Sequence, residues 1–177
     1  MNKNWLDKIN PDIGNYIAGF TDGEGSFNIS VMKRKDYSKK WKIRASFNIS
    51  QKDRKILEFI RKVFECGTLR ERSDGVVYYE VTDIDSLSMR IIPFFNRFGF
   101  LSKNKKKNFF IFSEIVRLMT YKEHLNQIGF NKIIDLRENL NIGKGRKRKY
   151  NKFQLITEKS SETIRKTSSN QIGKPTI

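Results

Sequence analysis

Apolar residues recur at helical spacing early in the chain and then switch to strict alternation, and the changeover falls on one short segment, Tyr16-Ile-Ala-Gly-Phe-Thr-Asp-Gly-Glu-Gly-Ser-Phe27. Asn10 is suited to cap a helix and Pro11 to occupy its first turn. Asp22-Gly23-Glu24-Gly25 neither continues a helix cheaply nor sits inside a strand, so the helix is expected from about Pro11 to Thr21. Gly14 and Ala18 lie four apart on one face with Gly19 beside them, which invites a second helix to close backbone approach. Tyr16, Ile17 and Phe20 are left for burial.

From Phe27 the period is two. Phe27, Ile29 and Val31 point one way and Asn28, Ser30, Met32 and Arg34 the other, which predicts a strand with one wet face. A polar loop over Lys35 to Lys40 leads to a second run in which Ile43, Ala45, Phe47 and Ile49 alternate with Lys42, Arg44, Ser46, Asn48 and Ser50. The two runs form a predicted hairpin. A second hairpin is predicted from Gly67 to Arg72 and Val76 to Thr82 around Ser73-Asp74-Gly75, with Thr68, Arg70 and Arg72 on one face. Between the hairpins, Ile56, Leu57, Phe59, Ile60, Val63 and Phe64 are spaced for a helix over Gln51 to Glu65 that covers the apolar side of the sheet. Two more helical segments follow, Asp85 to Phe98 interrupted by Pro93, and Lys107 to Met119. The order predicts an α+β fold: an antiparallel sheet with helices packed on one face and the other face free.

Length fits one domain, since 177 residues with 37% hydrophobic content can bury a substantial core. Charge then narrows the partner. Thirty-six Lys and Arg against 19 Asp and Glu leave a formal net charge of +17, which calls for a polyanion, most simply nucleic acid, with an anionic membrane surface as the competitor. No apolar run approaches the roughly 18 residues of a spanning helix, and Met-Asn-Lys-Asn-Trp-Leu-Asp-Lys has neither signal-peptide nor transit-peptide character. The expectation is a soluble protein made where it works. Abundant Lys, Asn and Ile suit an A·T-rich genome, as in a chloroplast or mitochondrion.

One cysteine, Cys66, cannot form an internal disulfide and is expected to be a small core residue. The single histidine, His124, lies at a helix boundary in Tyr-Lys-Glu-His-Leu, where a structural role outweighs one as general base. Neither zinc-finger nor Ser/Cys-His-Asp chemistry can be assembled from this inventory. A charged strand face is usually only solvated, but here it is almost wholly cationic or amide and hydroxyl, where a neutral surface would interleave acids. A two-stranded ribbon fits the major groove, where Arg, Lys and Asn read guanine and adenine edges.

The twelve-residue string, with small residues inside a helix, acids at its end and an immediate strand, resembles the signature of the LAGLIDADG homing endonucleases. The resemblance extends over about residues 10–142 and implies an αββαββα fold whose strands lie along double-stranded DNA as a saddle. It implies that Glu24, with Gly23 beside it, ligates Mg²⁺ or another divalent cation such as Mn²⁺. It also implies that motif helices pair through Gly14, Ile17 and Ala18. Positions matching the base-reading residues are Ser30, Met32, Arg34, Lys42, Arg44, Ser46, Asn48, Arg70 and Arg72, with Tyr37 in the hairpin loop. Phe47-Asn48-Ile49-Ser50-Gln51 matches the stretch with an active-site glutamine, and the basic run from Leu101 to Phe109 matches that with an active-site lysine, aligned at Lys103 with Lys105 next. Tyr121 to Leu125, Gly129-Phe130 and Lys132 to Leu136 resemble the closing helices of a family repeat.

No second copy of the motif occurs, and one motif supplies half an active site. The resemblance therefore implies a homodimer that cuts a palindromic or pseudo-palindromic site across the minor groove, leaving 3′ overhangs, from an intron-encoded gene. Residues 143–177 differ in composition: Lys144, Arg146, Lys147, Arg148 and Lys149 crowd into seven residues, ahead of a Ser-, Thr- and Lys-rich stretch. This tail is expected to be flexible without DNA and to contact backbone phosphates. Two other functions suit the same basic faces: an RNA-binding intron maturase of this fold, and a non-catalytic nucleic-acid-binding protein whose acids are turn residues.

Overall fold

The computed structural model describes residues 4–33, 41–142 and 148–157. A short helix α1 (Asn4–Asp7) leads to α2 (Pro11–Glu24), whose start is fixed by Asn10, its side chain accepting the Asp12 N–H at 2.8 Å. Strands β1 (Gly25–Lys33) and β2 (Trp41–Gln51) form the first hairpin. Next come α3 (Arg54–Phe64), capped by Asp53, and the second hairpin, β3 (Thr68–Glu71) and β4 (Val77–Val81). A short α4 (Ile84–Ser86) and a π turn (Leu87–Ile91) run into α5 (Ile92–Phe98). The chain continues with α6 (Lys103–Thr120), a 3-10 turn, α7 (Gln127–Glu138) and α8 (Lys152–Thr157).

The sheet is antiparallel with order β1-β2-β4-β3, so β2 is central and pairs with both hairpins. Alternation along β1, β2 and β4 puts Phe27, Ile29, Phe47, Ile49, Val77, Tyr79 and Val81 under the helices. Aromatic rings dominate this core. Phe27 stacks on Phe47 and meets Phe95 and Phe100 edge-on and Phe109 and Phe112 at a tilt, with centroids 5.0–5.9 Å apart, geometries favoured by ring quadrupoles.

Three local expectations shift. Helix α2 runs through Asp22 and Gly23 to Glu24 instead of stopping at Thr21, because Gly25 takes the cap and donates its N–H to Thr21 O. Pro93 does not interrupt its segment: it falls in the first turn of α5, directly after the π turn, where a missing N–H matters least. Helix α6 begins at Lys103, four residues early, because Ser102 caps it by accepting the Lys105 N–H. Tyr79 O–H donates to Cys66 O at 3.0 Å, and burial pushes the half-buried Cys66 thiol pKa up, as suits an inert core cysteine.

Candidate functional site

Helix α2 delivers Glu24 to the surface at its last position, at the end of the sheet where Gly25 pairs with Ile49. Gln51, two residues past Ile49, lies at that same end of β2, its Oε1 accepting the Lys52 N–H at 2.8 Å. Asp22 has a different task from Glu24. Its Oδ2 accepts the N–H groups of Leu101 and Ser102 at 3.0 and 2.9 Å, and its Oδ1 accepts the Ser102 hydroxyl at 2.5 Å. Burial opposes its charge, but the bonds from Ser102 and Leu101 and the nearby Lys105 ammonium prevail and hold its carboxyl below the usual range.

These bonds tie the end of α2 to the start of α6, and Lys105 follows from that tie. Its Nζ donates to Gly25 O, next to Glu24. Burial lowers the Lys105 pKa, with Asp22 and Glu24 acting in the opposite direction. Lys103 is exposed at the first position of α6. The lysine brought beside the motif acids is thus Lys105, two residues from the aligned position. The register of a lysine run cannot reveal this, because only the Ser102 cap decides which side chain turns inward.

Oxygen donors suited to a hard cation lie at this point: the Glu24 carboxylate and the Gly23 main-chain carbonyl, at the helix end where carbonyls run out of intrahelical donors. Among the described residues no group of three or more His, Cys, Asp or Glu is placed to hold a metal. One chain therefore offers a partial donor set, which Mg²⁺ or Mn²⁺ fits only if further oxygens come from elsewhere.

The expected pairing face must be corrected. Gly14 is buried against Phe98 of α5, and a Cβ on it would lie 2.2 Å from that ring. Ile17 and Ala18 are 0% and 3% exposed. The close helix approach does occur at Gly14, but inside the chain. The outward face of α2 instead carries Asp12, Gly19 and Gly23, with open space over both glycines, and Tyr16, 53% exposed and stacked on Phe20.

On the wet face of the sheet stand Ser30, Met32, Lys42, Arg44, Ser46, Asn48 and Arg70, with Arg72 just past β3. Arg34 and Tyr37 lie outside the described residues. The face also carries an acid, Glu80, among its cations and amides. Glu80, opposite Asn48 and Thr68 on β4, accepts from Arg44 at 3.1 Å and from Arg70, all through Oε2. Arg72 donates to the Tyr78 hydroxyl at 2.8 Å and pairs with Asp74 at 2.9 Å. The alternation of Glu80 with buried Tyr79 and Val81 was visible in the sequence; its two partners, on separate strands, were not.

Part of the expected tail is seated on the body. Tyr150 packs edge-on against Trp41 with centroids 4.8 Å apart, and Leu155 is 1% exposed. Arg148 pairs with Glu138 and donates to the carbonyls of Arg137, Glu138 and Leu140, closing the C-terminus of α7. Such a guanidinium is engaged within the fold, unlike the phosphate contact expected of it. Lys149 is exposed with its ammonium 5.6 Å from the Tyr150 ring centre, and Lys144, Arg146 and Lys147 lie outside the described residues.

Residues 17–116 match the family model described as LAGLIDADG endonuclease. A probable intron-encoded endonuclease 2 of Neurospora crassa is 35% identical over 139 residues, covering 76% of this chain and 30% of the relative. The chain thus spans about a third of that relative's length, and 25% of a second from the same fungus. The archaeal intron-encoded homing endonuclease I-Vdi141I, complexed with DNA, superposes with a TM-score of 0.77 at 26% identity, covering 85% of this chain and 96% of its own. I-SmaMI, bound to an uncleaved DNA target in the presence of calcium ions, gives 0.69 at 30% identity, covering 77% and 47%. No helix among the described residues is long and apolar enough to cross a membrane.

Proposed function

Because the chain belongs to the LAGLIDADG endonuclease family, we propose that it is a site-specific DNA endonuclease that cuts both strands of a palindromic or pseudo-palindromic site as a homodimer, using a divalent cation. The observation that carries this is Glu24, an exposed carboxylate at the end of α2, beside Lys105 and at one end of a largely cationic and amide-bearing sheet face. With Asp22 engaged by Leu101 and Ser102, Glu24 is the motif acid left for a metal. A second copy supplies the second Glu24. The open helix face of Gly19 and Gly23, flanked by Tyr16, supports an isologous contact that brings the two helix ends together.

Glu24 of each chain, with the Gly23 main chain, would hold the metal, for which Mg²⁺ is the first candidate. When bound, such an ion activates water and stabilises the departing 3′ oxygen of an in-line displacement. The Lys105 ammonium adds positive charge for the phosphate, and the Gln51 amide can orient a water by hydrogen bonding. Ser30, Lys42, Arg44, Ser46, Asn48 and Arg70 face the DNA bases.

The test is incubation of purified protein with a library of palindromic duplexes, with Mg²⁺ or with EDTA. Recovery of cut ends from one sequence class, abolished by EDTA and by Glu24→Gln while binding persists, is the expected result. Sedimentation should give a dimer. A monomer that cuts both strands, or a Glu24→Gln protein with undiminished cleavage, would refute the assignment.

A further inference from the structure

The sheet face that is otherwise cationic and polar contains one acid that touches two of its arginines. Glu80 sits on β4 between β2 and β3, and its side chain is 17% exposed, against 41% for Arg44 and 67% for Arg70. The acid is therefore the shielded member and the guanidinium groups are presented outward. Both reach the same atom, Glu80 Oε2. A guanidinium has five N–H donors, so each keeps donors for a partner above the sheet.

We infer that Glu80 is a specificity-determining residue: it aims Arg44 and Arg70 together at base edges and keeps them off the phosphates. The inference rests on the DNA-binding role proposed above. Two guanidinium groups reaching over β4 from the strands on either side of it repel, and unrestrained they swing to the nearest backbone phosphate, a contact that carries no sequence information. A shared carboxylate removes the repulsion, halves the local charge and fixes the fork geometry needed for bidentate bonding to guanine O6 and N7. Because one oxygen holds both groups, their bonded nitrogens lie within roughly 6 Å of each other, about two hydrogen-bond lengths. Base pairs are stacked about 3.4 Å apart. The pair therefore addresses two positions no more than two base-pair steps apart, and guanine is the base that arginine pairs with best there. A neutral surface role for Glu80 gives no reason for such linked positions.

The experiment is selection of preferred duplexes from a random pool by the parent, Arg44→Ala, Arg70→Ala, Glu80→Gln and Glu80→Ala, followed by binding isotherms across salt. Thermal melts establish that the variants remain folded. The parent should select guanines at two positions within two steps, Arg44→Ala should relax one and Arg70→Ala the other. Each Glu80 variant should relax both, by on the order of tenfold, while binding scrambled duplexes more tightly. Its salt dependence should steepen by about one unit for each arginine released to a phosphate. A folded Glu80→Gln protein with parental preference at both positions overturns the inference alone, as does equal weakening of every duplex. A parent that prefers no duplex overturns the DNA-cleaving function and this inference with it.

Discussion

Replacing Asp22 tests whether the first acid of the motif works through Lys105. Two main-chain N–H groups and the Ser102 hydroxyl converge on its carboxylate at 2.5–3.0 Å. Ser102 Oγ in turn accepts the Lys105 N–H at 3.2 Å, so one carboxylate orders the first turn of α6. Asp22 is partly exposed, so the capping scale applies better than that of a buried ion pair, and Asp22→Ala is expected to destabilise the fold by about 2 kcal/mol. Asp22→Asn keeps one acceptor for the N–H groups but cannot accept from Ser102, and about 1 kcal/mol is expected. Cleavage should fall further than stability, on the order of 10- to 100-fold for Asp22→Asn, because 1.4 kcal/mol of misplaced Lys105 charge is already tenfold in rate. Urea unfolding and single-turnover cleavage measure the two effects. The sign of the pH dependence follows from the lowered Asp22 pKa. Its contribution is fully present above the unfolded carboxyl value near pH 4 and is lost as pH falls through the lower folded value. The stability gap between parent and Asp22→Asn should therefore close in strong acid. Parental stability and parental cleavage at pH 7, or a gap undiminished at about pH 2, would refute the reasoning.

Other substitutions separate roles that share a sequence neighbourhood. Lys105→Met should lower the single-turnover cleavage rate by on the order of 10- to 100-fold with little loss of duplex affinity, whereas exposed Lys103→Met should leave the rate within a few-fold; equal effects would remove the distinction. Gly14→Ala drives a methyl into Phe98 and should lower monomer stability by about 1–3 kcal/mol. Gly19→Leu projects into open space, so its melting should stay near parental while sedimentation shows a weakened dimer; an unchanged dimer would move the interface off this face. Arg148→Ala should cost about 1–2 kcal/mol in urea unfolding by uncapping α7, and its DNA salt dependence should stay parental; a slope flatter by about one unit would make it a phosphate contact after all.

Local pattern determined the elements. Period-two alternation places Phe27, Ile29, Phe47 and Ile49 on one face whatever lies opposite, so the hairpins were legible to within a residue or two; the helix between them was legible from its apolar spacing, although it starts at Arg54, three residues later than expected, because β2 runs on to Gln51. The motif string named its family because small residues, acids and a following strand occupy consecutive positions. Charge composition likewise indicated a polyanionic partner without reference to the fold.

Which groups meet across the chain was not legible, since those contacts join residues far apart in sequence. Gly14 looked like a face for a second chain, yet Phe98 of the same chain fills it, and the small residues of α2 left with open space over them are Gly19 and Gly23. Helix α2 runs on through Gly23 to the Gly25 cap, and its Asp22 accepts from Ser102, 80 residues away. Lys105, not Lys103, lies beside the motif acids, a placement that composition cannot rank. Sheet order alone put Glu80 between arginines of two other strands. Sequence periodicity fixes which way each side chain points relative to its own element, because that depends on backbone geometry; the partner it points at depends on how elements stack, and only the tertiary structure decided that.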